Sequence, residues 1–268
     1  MPPKLVVVGG GQMGSALVNG LLAAEWAEPS ELAVVEPVPE RRAALSLEHE
    51  GIVVAGAPSA ELVGPAGGVL LAVKPDVAEA ALRLLGATGA RRVLSVVAGM
   101  QNQRLEAALP DGVVVIRAMP NSPALVGAGV SVISGGSNAH SADLEWAEEI
   151  LSAVGAVVRL PERHLDAVTG LSGSGPAYIF VVAEALIEAG VLTGLPRDVS
   201  RTLVVETLLG SAKLLTSTGE DPAVLRSRVT SPGGTTAAGL RALESRAVRA
   251  AFADAVVAAT ERSRQLGR

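Results

Sequence analysis

Along the first 160 positions, apolar residues fall into short unbroken runs. These are Leu5–Val8, Leu32–Val35, Ile52–Ala55, Val69–Val73, Val93–Val97, Val113–Ile116, Val130–Ile133 and Ala156–Leu160. Most are valine-rich and continuous instead of alternating with polar residues. A continuous run marks a strand buried on both faces, as in a parallel sheet covered by helices. The segments between them, such as Gly14–Ala24 and Pro39–His49, carry helix formers and mixed charge. Strand, helix, strand repetition predicts right-handed crossovers and a doubly wound α/β sheet.

Beyond about Pro161 the pattern changes. Long Ala/Leu segments follow: Pro176–Ala189, Pro196–Ser217, Pro222–Val229 and Thr235–Gln265. Pro176, Pro196 and Pro222 suit first helical positions, and Asp221 suits an N-cap. Gly190 and Gly219 stand where helices are expected to stop. The expected division is an α/β domain over residues 1–160 and an all-helical domain over 161–268. Ala177–Ala189 is apolar on nearly every face. A helix of that kind needs cover all round, which a small domain cannot supply alone, so a second copy of the chain is expected against it.

Composition narrows the function classes. With 22 basic and 27 acidic side chains, the net charge of −5 argues against a nucleic-acid-backbone binder. The chain has no cysteine, which excludes disulfides, thiolate nucleophiles and cysteine-ligated metals. His49, His140 and His164 are too scattered to suggest a metal site. Aromatic residues are 2% of the chain, too few for base-stacking platforms. The amino-terminal residues lack the features of a signal peptide. No uninterrupted apolar run approaches the roughly 20 residues that span a bilayer. A soluble, cytoplasmic protein without membrane or nucleic-acid partners is expected.

The first strand runs into Gly9-Gly10-Gly11-Gln12-Met13-Gly14, a G-x-G-x-x-G pattern that opens a helix. In that context it reads as a dinucleotide-binding fingerprint. Gly9 serves the tight turn, Gly11 the approach of a pyrophosphate, and Gly14 helix–strand packing. The second strand ends at Glu36, whose carboxylate suits ribose hydroxyls, as with NAD. Arg41 and Arg42 follow, and a guanidinium suits a 2′-phosphate. The cofactor preference stays open on these residues. Val73-Lys74-Pro75 and Ala98-Gly99 end the fourth and fifth strands, where ligands of open α/β sheets bind. Met119 and Asn121 follow the sixth strand and are candidates for the same cleft.

In the second half, Leu171-Ser172-Gly173-Ser174-Gly175-Pro176-Ala177-Tyr178 and Ser231-Pro232-Gly233-Gly234-Thr235-Thr236 each precede a helix. Small residues let a ligand come near the backbone, and free amides at a helix start favour an anion. A small carboxylate is the expected ligand.

Taken together, the fingerprint, Ala72–Pro75, Arg117–Asn121, Asp166–Tyr178 and Ser231–Thr236 resemble pyrroline-5-carboxylate reductase over essentially the whole chain. The resemblance implies a Rossmann domain followed by an all-helical dimerisation domain. It implies reduction of 1-pyrroline-5-carboxylate to L-proline with NADPH or NADH. It implies a homodimer through the helical domain, which some family members build into a decamer. By the same resemblance, Thr236 hydrogen-bonds the ring nitrogen. Ser231, Gly233, Gly234 and Thr235 cradle the carboxylate, with Ser174 on the other glycine-serine loop. Glu162 falls where the family has an acidic residue near the substrate. Val73, Lys74 and Ala98 match cofactor contacts. Ser59 and Glu36 depart from the residues common at their positions near the adenine ribose. A ring imine is basic enough to be protonated part of the time near neutral pH, so no strong catalytic acid is needed, and none stands out. A β-hydroxyacid dehydrogenase would rely on a lysine in the helical domain, where only Lys213 is present. A nucleotide-sensing or PLP-binding module would have no use for a substrate cradle.

Overall fold

The computed structural model describes residues 2–267. Eight strands form one sheet: β1 (Leu5–Val8), β2 (Leu32–Val35), β3 (Val53–Ala55), β4 (Val69–Leu71), β5 (Arg92–Ser95), β6 (Val114–Met119), β7 (Gly129–Gly135) and β8 (Gly155–Arg159). Each corresponds to one of the apolar runs. Their order across the sheet is β3-β2-β1-β4-β5-β6-β7-β8. The first six are mutually parallel, and β7 departs by pairing antiparallel with β6. Residues 120–128 between them hold only a 3₁₀ turn, Ser122–Val126. A parallel crossover needs a dozen residues or more, so the chain turns back there. β8 then pairs parallel with β7.

Helices α1 (Gln12–Ala23), α2 (Pro39–Glu48), α3 (Ala60–Val63), α4 (Pro75–Gly86), α5 (Asn102–Ala107) and α6 (Ser141–Ser152) alternate with these strands. Two buried clusters result. One groups Leu5, Val7 and Leu94 with Leu17, Leu21, Ile150 and Leu151 of α1 and α6. The other groups Val6, Leu71 and Val93 with Leu82 and Leu85 of α4 and Leu105 of α5. Successive strand residues point to opposite faces, so burial on both sides explains why the runs do not alternate.

Residues 162–192 form one helical run: a 3₁₀ turn at Glu162–His164, α7 (Leu165–Val168), a π-helical turn at Thr169–Gly173, and α8 (Gly175–Leu192). By length and composition this run is apolar enough to cross a membrane, with mean hydropathy 1.6. The uninterrupted apolar stretches within it stay short of the roughly 20 residues that span a bilayer. Glu184 and Glu188 interrupt α8, and Glu162, Arg163 and Asp166 precede it. Then come α9 (Arg197–Thr218), α10 (Pro222–Arg228), α11 (Thr235–Ser245) and α12 (Val248–Leu266). Asp221 caps α10 as expected, accepting from the Ala223 amide at 2.7 Å. Gly219 ends α9 in the left-handed region, φ 64°.

Two expectations need correction. The segment Thr235–Gln265 is two helices, because Ala247 takes φ 53° and breaks the ladder. Gly190 lies inside α8, and the stop falls beyond it, near Gly194. A Cβ at Gly190 would lie 2.1 Å from Ser200 Oγ, so the glycine allows α8 and α9 to approach.

The chain divides into two compact units, residues 1–174 with 259–268, and residues 175–258. The eight-stranded sheet lies wholly in the first.

Candidate active site

The three fingerprint glycines meet three different surroundings. Gly9 has φ 106°, and a Cβ there would lie 2.5 Å from the Ala72 carbonyl oxygen. A Cβ on Gly14 would lie 2.0 Å from Gly9 O, so α1 packs on β1 only with glycine at this position. Gly11 has no protein atom within 4 Å of the added carbon. The fold does not need glycine there; a ligand approaching the backbone does. Gly11 is also the N-cap of α1, with no side-chain cap and no acid in the first turn. The α1 amides are therefore free for an anion, and the helix dipole favours one.

Around this loop opens a cleft of ≈ 630 Å³ at the carboxyl ends of β1, β2, β4 and β5. Gly9, Gly11, Gln12, Met13 and Glu36 line one part of it, and Arg41, Val73, Lys74, Pro75 and Ala98 another. Pro37, Val38 and Val96 also line it; the sequence reading passed over them, although each adjoins a strand end it had singled out. A neighbouring pocket of ≈ 180 Å³ is bounded mainly by apolar side chains, among them Pro58, Val77 and Leu84, and suits a flat heterocycle.

Glu36 is buried, and both carboxylate oxygens are held. Oε2 accepts from Gly10 N at 3.0 Å and Oε1 from Val38 N at 2.9 Å. Each oxygen keeps a further lone pair for a ribose hydroxyl. The two arginines differ. Arg42 Nη1 donates to the carbonyls of Glu36 (2.9 Å) and Pro37 (2.7 Å), so it fixes the strand end. Arg41 is exposed and lines the cleft. Ser59 caps α3, accepting from Leu62 N at 3.3 Å.

Gly99, Met119 and Asn121 stand apart from the cleft lining. Gly99 (φ 74°) lies against Leu266. Met119 Cε packs on Gly173. Asn121 Nδ2 donates to Ser172 O at 3.2 Å, and its Oδ1 accepts from Val130 N at 2.9 Å. Asn121 thus ties the end of β6 and the start of β7 to the π-helical turn before Ser174. Glu162 Oε1 accepts from Asn102 N at 2.7 Å and Arg117 Nη1 at 3.0 Å.

In the helical unit, Gly234 is the N-cap of α11, again with no side-chain cap and no acid in the first turn. Gly233 has φ 70°, and Gly234 N donates to Ser231 O at 3.1 Å, closing the turn. A Cβ on Gly234 would lie 2.3 Å from Ser231 Oγ, so a larger residue there would turn the Ser231 hydroxyl away. Thr236 is half-buried in the first turn of α11. Lys213 lies within α9. Among the described residues, no cluster of His, Asp and Glu could hold a metal ion.

Comparisons with known proteins agree with this geometry. Residues 162–266 match a family model described as pyrroline-5-carboxylate reductase dimerisation. Residues 4–99 match one described as NADP oxidoreductase, coenzyme F420-dependent. A pyrroline-5-carboxylate reductase from Synechocystis sp. is 44% identical over 270 residues, covering 100% of both chains. The structure of a pyrroline-5-carboxylate reductase from Coxiella burnetii superposes with TM-score 0.93 at 31% identity, covering 100% of each chain. That of the Plasmodium falciparum pyrroline carboxylate reductase with NADP bound gives TM-score 0.86 at 30% identity, covering 99% of this chain and 98% of that one.

Proposed function

This chain belongs to the pyrroline-5-carboxylate reductase family, and from that premise we propose how its residues share the work. It is an NAD(P)H-dependent oxidoreductase of the CH–NH class that reduces 1-pyrroline-5-carboxylate to L-proline. Bound nicotinamide supplies the hydride. The α1 amides and Gly11 receive the pyrophosphate. Val73, Lys74, Pro75 and Ala98 border the rest of the dinucleotide. Arg41 offers a cation for the 2′-phosphate of NADPH, and Glu36 accepts from ribose hydroxyls, so NADH is also used.

On the substrate side, the α11 amides at Gly234 and Thr235, with Ser231 and Gly233, hold the carboxylate. The Thr236 hydroxyl hydrogen-bonds the ring nitrogen and orients it as it gains its proton. Ser174 completes the set. Orientation of this kind supplies roughly 7–11 kcal/mol of a bimolecular barrier. The observation that carries this division is the shared state of α1 and α11. Both start at a glycine, and both leave their first amides without a side-chain acceptor or a nearby acid. By contrast, Ser59 and Asp221 cap α3 and α10.

The helical unit pairs with a second copy as a homodimer, in the cytoplasm. Support comes from exposed apolar side chains on α8 and α9, including Phe180 and Leu203. The test is NAD(P)H consumption by the purified protein with 1-pyrroline-5-carboxylate, beside a 3-hydroxyacid with NAD. Turnover of the imine is expected. Cofactor binding without it overturns the reading.

A further inference from the structure

The loop joining β5 to α5, residues 96–101, forms one wall of the dinucleotide cleft through Val96 and Ala98. Its course is fixed at three points. Near its start, Val97 N donates to Ser95 Oγ at 3.3 Å. In its middle, Gly99 lies against the end of α12: a Cβ at Gly267 would meet Gly99 O at 3.1 Å. Just past its end, Asn102 N donates to Glu162 Oε1 at 2.7 Å. Helix α5 has no side-chain cap of its own and no acid in its first turn. The carboxylate 60 residues away supplies that acceptor.

The same carboxylate oxygen takes Nη1 of Arg117 at 3.0 Å. Arg117 is buried, 3% exposed, with Ser95 of β5 and Ser134 of β7 as its register partners. Both serines are buried as well. A guanidinium in that position requires a fixed anionic partner, because an uncompensated buried charge is costly. Glu162 meets this need while holding the loop, and charge-assisted bonds of this kind are among the stronger ones.

We propose that Glu162 and Arg117 are a positioning pair, setting the 96–101 wall of the cofactor cleft through Asn102 and the main chain. The proposal rests on the reductase reading only for the identity of the cofactor. It is tested by NADPH binding, followed by fluorescence titration of the purified enzyme, so imine turnover does not decide it.

Glu162→Gln keeps the volume and one acceptor oxygen and removes the charge. Glu162→Ala removes both contacts of the carboxylate, and Arg117→Met removes the ion pair that fixes it while leaving the bond from Asn102 N. Both should raise the NADPH dissociation constant, by about 10-fold for Glu162→Ala. Glu162→Gln should raise it less, and Arg117→Lys should lie between Arg117→Met and the parent. KM for the imine should change far less than cofactor affinity. The Arg117→Met, Glu162→Ala double variant should be little worse than Glu162→Ala alone, since Arg117 acts through that carboxylate. A rise in imine KM with cofactor affinity unchanged would make Glu162 a substrate contact and overturn the proposal. So would unchanged cofactor affinity in Glu162→Gln and Glu162→Ala. If Arg117→Met does not fold, the two Glu162 variants decide the matter. Absent imine turnover in the parent enzyme would sink the reductase reading and leave this comparison intact.

Discussion

The two units bury their apolar residues very differently. In the α/β unit, β1 and β4 are almost without solvent contact, and both faces of the sheet are covered from within the same chain. In the helical unit, α8 has no buried residue, and Ile179 and Phe180 are 52% and 62% exposed. One region satisfies its own hydrophobic pattern. The other carries an equally apolar pattern with too little of its own chain to cover it. The lesson concerns where the folding information points: inward in the first region, and in the second outward, towards the second copy proposed above.

The harshest way to break this contrast is to put charge on the helical face. Phe180→Glu would place a carboxylate in the proposed dimer interface. An unpaired buried charge costs about 4 kcal/mol or more, about a thousandfold in the dimer dissociation constant. Size-exclusion chromatography with light scattering should show monomers, and turnover should collapse, while NADPH still binds the α/β unit. An unchanged dimer would mean that this face is not the interface.

Next in size is Thr236→Ala. Loss of one preorganised donor lowers turnover by about 10²–10³-fold, with NADPH affinity unaltered. Steady-state kinetics beside a cofactor titration checks both halves. A change confined to cofactor affinity would remove Thr236 from the substrate side.

A finer probe separates fold from ligand within the α/β unit. Gly14→Ala forces a Cβ against Gly9 O, and overpacking of this kind costs about 1–3 kcal/mol, lowering Tm by about 2–12 °C. Gly11→Ala meets no protein atom, so Tm should hold while the NADPH dissociation constant rises. Differential scanning fluorimetry without ligand, set against binding titration, tests the pair. Equal losses of stability would mean that Gly11, too, serves the fold.

The glycine loop also shows what could be read in advance. The strand runs and the fingerprint are local patterns whose period and spacing survive in the sequence, and β1 to β8 follow them closely. Glycine itself is ambiguous. Gly219 and Gly190 look alike in sequence; one ends a helix at positive φ, and the other admits Ser200. Ala247 breaks a helix with neither glycine nor proline to signal it. The partners of polar side chains are harder still. Asn121 reaches Ser172, 51 residues away, and Glu162 reaches Arg117 across 45. Nothing in the local sequence encodes such a pairing, because it depends on where the sheet places each strand end. The candidate cofactor residues were largely legible because strand ends are a topological rule. The tethers that hold them were not.

The smallest effect belongs to the exterior of the α/β unit and tests whether its stability comes from the core. Arg104 Nη2 lies 2.6 Å from Glu79 Oε1, joining α5 to α4. The hydrogen bond and charge of Arg104 hold the Glu79 carboxyl below its ordinary value. A depressed carboxylate pKa contributes stability at pH values above that of the unfolded chain, and this is lost as pH falls through the folded value. Both side chains are exposed, so water and salt screen the pair. Glu79→Gln should therefore lower Tm at neutral pH by less than about 2 °C. The difference from the parent should vanish on acidification below the carboxylate range, and also in molar salt. A large loss of Tm from this one exposed ion pair would contradict the claim that the buried faces of the sheet hold this unit together.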